Sequence, residues 1–148
     1  MTINTDSSLL DLLPHRPPML LLDRLVSVSN NAAQAEVAIS KNSPFFIAGK
    51  GVPAWISIEY MGQTAALIAG YQLQQGTVEP HTGFLLGTRK LSAQTSWFPE
   101  STDLIVSCNE LAVVGDSLAT FDCQVKDKAS DALLAQTKLS VFRKLSNT

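Results

Sequence analysis

The longest unbroken pattern in the chain spans residues 53–75, where apolar or small side chains fill nearly every face of a 3.6-residue period. A helix that is apolar all round is surrounded by other material rather than by water. Pro53 suits a first helical position, because the N–H it lacks would have no intrahelical partner there. Gly76 supplies a stop. At 1.5 Å per residue such a helix is about 33 Å long. Gly62, Ala66 and Gly70 recur every fourth position and predict a stripe that another backbone can approach closely.

Strand patterns flank this helix. Residues 19–28 are rich in Leu and Val, residues 34–39 alternate, and Asn30 and Asn31 stand between them as turn formers. Beyond Pro80 the strand patterns are residues 83–91, 103–113, 118–125 and 133–142, with turn signals at Gly115-Asp116 and at 127–131. Residues 9–13 predict a single helical turn that ends before Pro14. Short strands, one long buried helix and then an antiparallel meander make an α+β layout, a sheet wrapped around a helix.

Length adds that 148 residues form one domain, 1–148. Only 16% of residues are charged, where about a quarter is usual, so apolar surface is expected to be buried against a partner subunit. The net charge of -2 provides no global basic excess for nucleic acid. The start of the chain lacks a basic stretch followed by an apolar run, so the expected compartment is the cytoplasm. The apolar helix raises a transmembrane reading, but Glu59 inside it would cost roughly 2.5–3.5 kcal/mol in a bilayer, and a buried helix with no membrane partner is expected. Cys108 and Cys123 make neither a disulfide framework nor a zinc site. If Gly115-Asp116 is a two-residue turn, Val114 faces Ser117 and Cys108 faces Cys123 across a hairpin, both as reduced thiols.

Glu59 is the first candidate for chemistry. A carboxylate on an apolar helix is expected to be partly desolvated, which favours the protonated form and suits acid–base work. The plainer reading is a first-turn acid held by the helix dipole, but a helix starting at Pro53 puts Glu59 beyond that turn. Gln63, one turn on, is expected to bond Glu59 or a bound polar group. His15, set among Pro14, Pro17 and Pro18, titrates near neutrality; a loop-capping histidine is an equally good reading of it. His81 reads as an exposed loop residue. The backbone amides of Ala54 and Trp55, at the helix start, have the character of an oxyanion hole. Arg16, Lys50, Arg89, Lys90, Arg143 and Lys144 are candidates for a basic rim, or ordinary surface charge. No metal-ligand, serine-hydrolase or phosphate-loop motif occurs, so metal, serine-hydrolase and nucleotide readings have no support.

The segment Leu13-Pro14-His15-Arg16-Pro17-Pro18-Met19-Leu20-Leu21-Leu22-Asp23-Arg24 resembles the LPHRxPxLLxDR run of bacterial 3-hydroxyacyl-[acyl carrier protein] dehydratases. Pro44-Phe45-Phe46 is similar to their PFF, and the run from Val52 to Gln63 resembles their PGVLxxEAMAQ helix start. The resemblance implies a hot-dog fold, subunits that pair, an acyl carrier protein as substrate donor, and dehydration of a 3-hydroxyacyl thioester to the trans-2-enoyl product. It carries the catalytic carboxylate to Glu59, the helix glutamine to Gln63 and the carbonyl-binding amide to Ala54 or Trp55. The family's histidine, in a GHFPG motif after PFF, has no counterpart, since the chain reads Phe46-Ile47-Ala48-Gly49-Lys50-Gly51-Val52-Pro53 there. Three readings follow. His15 takes over the role; another hot-dog subunit supplies a histidine in a heterodimer; or the chain is a non-catalytic acyl-binding or partner subunit. A hot-dog thioesterase, with Glu59 activating water, is a further alternative that the LPHRxPxLLxDR run disfavours.

Overall fold

The computed structural model describes residues 7–76, 81–88, 90–115 and 117–145. Two short elements open the chain: α1 (Ser7–Leu12) and, after an irregular stretch, β1 (Arg24–Val28). β1 pairs antiparallel with β2 (Ala32–Ala38) around Ser29, Asn30 and Asn31, where the Ser29 hydroxyl caps the turn. A two-residue strand β3 (Val52–Pro53) leads through a 3-10 turn (Ala54–Ile56) into the long helix α2 (Ser57–Gln75). Gly76 ends it in the left-handed conformation, φ 71°, which costs glycine least. The remaining strands are β4 (His81–Thr88), β5 (Ser92–Ala93), β6 (Trp97–Phe98), β7 (Asp103–Val114), β8 (Leu118–Asp127) and β9 (Leu133–Leu145).

The main sheet runs β1-β2-β7-β8-β9-β4, with every pair antiparallel and β5 also pairing with β9. It curves around α2, which packs on β2, β7 and β8. This is the hot-dog arrangement, and strand alternation explains it. Leu104, Val106 and Cys108 on β7, Ala119, Phe121, Cys123 and Val125 on β8, and Ala135 and Leu139 on β9 all point inward and are buried. They meet Met61, Ala65, Leu67 and Ile68 of the helix. Burying a Leu, Ile or Phe side chain contributes roughly 1.5–3 kcal/mol, so this contact is what holds helix to sheet.

Several boundaries differ from the sequence reading. The 19–28 stretch becomes a strand only from Arg24; residues 19–23 are instead irregular and lie against the helix. The β3–β6 pair, Val52 opposite Phe98 and Pro53 opposite Trp97, was not foreseen, because two residues carry no alternation to read. Asp116 lies outside the described residues, but the hairpin pairs Val114 with Leu118, one residue wider than a two-residue turn. A bulge at Leu111 then shifts the register back, and Cys108 does face Cys123, with sulfurs 2.7 Å apart and both thiols free. Two offsets of one residue cancel.

The small-residue stripe divides in two. A Cβ on Gly70 would lie 2.0 Å from the carbonyl oxygen of Leu12, so α1 does press its backbone on the helix there. A Cβ on Gly62 would meet nothing within 4 Å. That end of the stripe is open. Among the described residues, no helix is long and apolar enough to cross a membrane.

Candidate active site

The open face of α2 forms the floor of a cleft of about 580 Å³. Gly62, Ala66, Ala69 and Gly70 make that floor, residues 10–16 form one wall, and Phe121, Val141 and Arg143 of β8 and β9 form the other. The wall of residues 10–16 runs antiparallel to the helix. Leu12 sits at Gly70, while Met19 and Leu21 sit at Gln63. His15 and Glu59 of the same chain therefore line one cavity.

Burial lowers the His15 pKa, and the nearby Glu59 charge works in the opposite direction. The imidazole Nδ1 is buried without a hydrogen-bond partner. A histidine so placed is kept neutral and able to accept a proton near neutral pH. The loop that carries it is held by Arg16, whose Nη1 donates to the carbonyls of Leu13 (2.7 Å) and His15 (2.8 Å).

Glu59 is exposed in the single chain. The desolvation expected from the sequence is thus not supplied by this chain's own fold. Because α2 begins at Ser57, Glu59 also lies in its first turn, where the helix dipole favours an acid. Gln63 does not bond Glu59. Its Oε1 accepts the Leu21 N–H (2.9 Å) and its Nε2 donates to the Met19 carbonyl (2.8 Å), which leaves one amide N–H.

The helix-start amides are only partly as expected. The Ala54 N–H donates to the Ser96 carbonyl at 3.0 Å, so it is spent and cannot polarise a substrate. Trp55 has a side chain 63% exposed, and neither residue lines the cleft. The β3–β6 pairing is the cause, since it brings Ser96 to the turn before the helix. The basic rim is likewise reduced. Arg143 is buried and paired with Glu110 at 2.8 Å, Lys50 lies 5.2 Å over the Trp97 ring, and Arg89 and the Lys144 side chain lie outside what is described. Arg143 is the cleft residue whose place the sequence reading missed; a cation at an inward position of β9 was its signal. Among the described residues no group of three or more metal-ligating side chains occurs.

Comparison with known proteins gives a consistent picture. A family model described as "ApeP-like: ApeP dehydratase" matches residues 7–147. The chain is 37% identical over 81 residues to the 3-hydroxyacyl-[acyl-carrier-protein] dehydratase FabZ of Anaeromyxobacter dehalogenans, an alignment covering 51% of this chain and 52% of that protein. A FabZ of Rhodopseudomonas palustris is 31% identical over 101 residues, 65% of this chain and 66% of that protein. The chain thus spans about half the length of the first of these relatives. Among solved structures, a chain of the dehydratase heterocomplex ApeI:P from Xenorhabdus doucetiae superposes with a TM-score of 0.81 at 26% identity, covering 92% of this chain and 90% of that one.

Proposed function

We propose, from the premise that this chain belongs to the ApeP-like dehydratase family, that it removes water from 3-hydroxyacyl thioesters carried on an acyl carrier protein and yields the trans-2-enoyl product. The observation that carries this reading is that His15 and Glu59 line one cavity whose floor is the small residues Gly62, Ala66, Ala69 and Gly70. Neutral His15 accepts the C2 proton. The electron pair of that C–H bond forms the C2–C3 double bond as the C3–O bond breaks. The Glu59 carboxyl delivers a proton to the departing oxygen, and water leaves. Proton transfer from imidazolium to carboxylate restores both groups. The remaining Gln63 N–H is a cleft donor available to the thioester carbonyl.

A second subunit completes the site. The similar chain of known structure is part of a heterocomplex, and this chain leaves Met19, Phe45, Ile47 and Trp55 exposed. We assign it a hot-dog partner that covers the cleft mouth and desolvates Glu59, which favours the protonated carboxyl the reaction needs. The test is turnover of a 3-hydroxyacyl-carrier substrate by the purified chain, alone and with cellular hot-dog subunits. Formation of enoyl product that is abolished in Glu59→Gln supports the reading. Activity that appears only with a partner, and that survives both Glu59→Gln and His15→Ala, assigns the chemistry to the partner and leaves this chain a supporting role.

A further inference from the structure

Cys108 and Cys123 are the only two cysteines of the chain. They stand directly opposite on β7 and β8, both buried, with their sulfurs 2.7 Å apart. Cys108 Sγ also lies 3.3 Å from the carbonyl oxygen of Met61, the residue before Gly62 of the cleft floor. A thiol has a single proton to donate. Cys108 cannot serve both contacts as donor, so it gives its proton to Met61 while Cys123 gives its own to the Cys108 sulfur. That order ties β8 to β7, and β7 to the helix.

Opposite residues of an antiparallel pair have Cα atoms about 4.5 or 5.5 Å apart, inside the range of about 4.4–6.8 Å that a disulfide spans. The two thiols can therefore be joined without a change of strand register. What bars an oxidant is the packed core, and burial pushes the Cys108 thiol up, away from the reactive thiolate. The way in is the hairpin end. Leu111, at the bulge, and Val113 and Val114 beyond it are all exposed, so few buried contacts hold the tip and it opens before the rest of the sheet. We infer that Cys108 and Cys123 form a peroxide-sensitive site that closes to an intrachain disulfide. One sulfur, as thiolate, attacks hydrogen peroxide: an S–O bond forms, the O–O bond breaks, and the released hydroxide takes up a proton as water. The second sulfur, as thiolate, attacks the sulfenic sulfur: the S–S bond forms, the S–O bond breaks, and a second water leaves. Two thiols give up two protons and two electrons, and one peroxide becomes two waters. The partner sulfur is so near that it captures the sulfenic acid before a second peroxide does. The disulfide then pins the hairpin just inside Phe121 of the cleft wall, and opening from the tip stops there.

This inference is independent of the dehydratase reading. The full chain is treated with hydrogen peroxide, unfolded, and alkylated with a maleimide. Two thiols are expected to react before treatment and none after it, with the intact mass lower by two hydrogens and both thiols restored by dithiothreitol. Amide hydrogen exchange by mass spectrometry, on peptides covering residues 105–125, is expected to slow about 30-fold or more in the oxidised chain, the scale of a typical disulfide. In Cys123→Ser the same treatment is expected to leave exchange unchanged. Two thiols that still alkylate after treatment overturn the proposal, as do a mass raised by added oxygen or a disulfide between two chains. Slowed exchange that persists in Cys123→Ser overturns the pinning of the hairpin. If that variant does not fold, the thiol count and mass of the native chain decide.

Discussion

The same substitution at two positions of α2 should move stability in opposite directions. In Gly62→Ala the new methyl meets nothing within 4 Å. The helix gains the propensity difference between alanine and glycine, about 0.8–1 kcal/mol. For a chain of this length each kcal/mol shifts the melting temperature by roughly 2–4 °C, so Tm rises by about 2–4 °C. In Gly70→Ala the same gain is available, but the methyl would lie 2.0 Å from the Leu12 carbonyl oxygen and 2.8 Å from its carbon. Both obstacles are backbone, so α1 has to move off the helix. Leu9 and Leu13, 0% and 3% exposed, move with it. Exposing one such leucine costs about 1.5–3 kcal/mol. Losing half to all of both, less the propensity gain, leaves Gly70→Ala destabilised by about 1–5 kcal/mol. Urea and thermal unfolding followed by circular dichroism measure both. An equal rise in Tm for the two variants refutes the close packing of α1 on α2, and with it the wall of the cleft that carries His15.

Further outcomes are expected. Glu59→Gln lowers turnover by roughly 10²- to 10⁴-fold while Tm changes little, because the residue is exposed in the single chain; stopped-flow or coupled assays of enoyl formation read this. The acid limb of kcat/KM falls below the ordinary histidine value of about 6.5, since burial lowers the His15 pKa, and a pH–rate profile checks this. Glu36, bonded to Lys128 (2.8 Å) and Arg24 (2.7 Å), has a lowered pKa, chiefly from Lys128. Its stabilising share is therefore present above the usual carboxylate pKa and lost as pH falls from there through the lowered native value: Glu36→Gln costs up to about 1 kcal/mol at pH 7, and the gap to the native chain closes under acid. Cys108 and Cys123 are buried, and burial pushes the Cys108 thiol up; thiol reagents should modify both in denaturant and neither in the native protein, and rapid native labelling would show this hairpin to be open.

What could be read from the sequence followed the range of the interaction concerned. The helix was legible because its 3.6-residue pattern is long, and β7 to β9 because alternation and turn residues repeat. Where a pairing rests on two residues, as with Pro53 and Trp97, there is no period to detect, and so the loss of the Ala54 amide to Ser96 could not be anticipated. The surroundings of Glu59 were misjudged for a related reason. Apolar neighbours along a helix do not reveal which face the rest of the fold covers, and here the covering of residues 59, 62 and 66 is left to whatever meets the cleft. His15 near Glu59 was legible only as one of three readings, because their closeness depends on α1 docking at Gly70, on a different and distant stretch of the sequence. The cysteine pairing came out as expected although its turn did not, since the Leu111 bulge restores the register lost at the tip.

Gln63 works as a keyed connector. Its amide offers an acceptor to Leu21 and a donor to Met19 in a fixed order, so the loop seats on the helix in one direction only. Glutamate would fit the socket by shape yet fail it by polarity, and leucine would strand both backbone groups, each at about 1–3 kcal/mol. The architecture thus has its own use for this side chain, and a subunit that had ceased all chemistry would still be held to it. Glu59 is in the contrary position. Among the described residues it makes no hydrogen bond or ion pair, and a first-turn dipole contributes only some tenths of a kcal/mol to keeping it. Of two neighbouring polar residues on one helix face, Gln63 is tied into the architecture and Glu59 is not, so a Gln63 variant reports on folding and a Glu59 variant on the proposed chemistry.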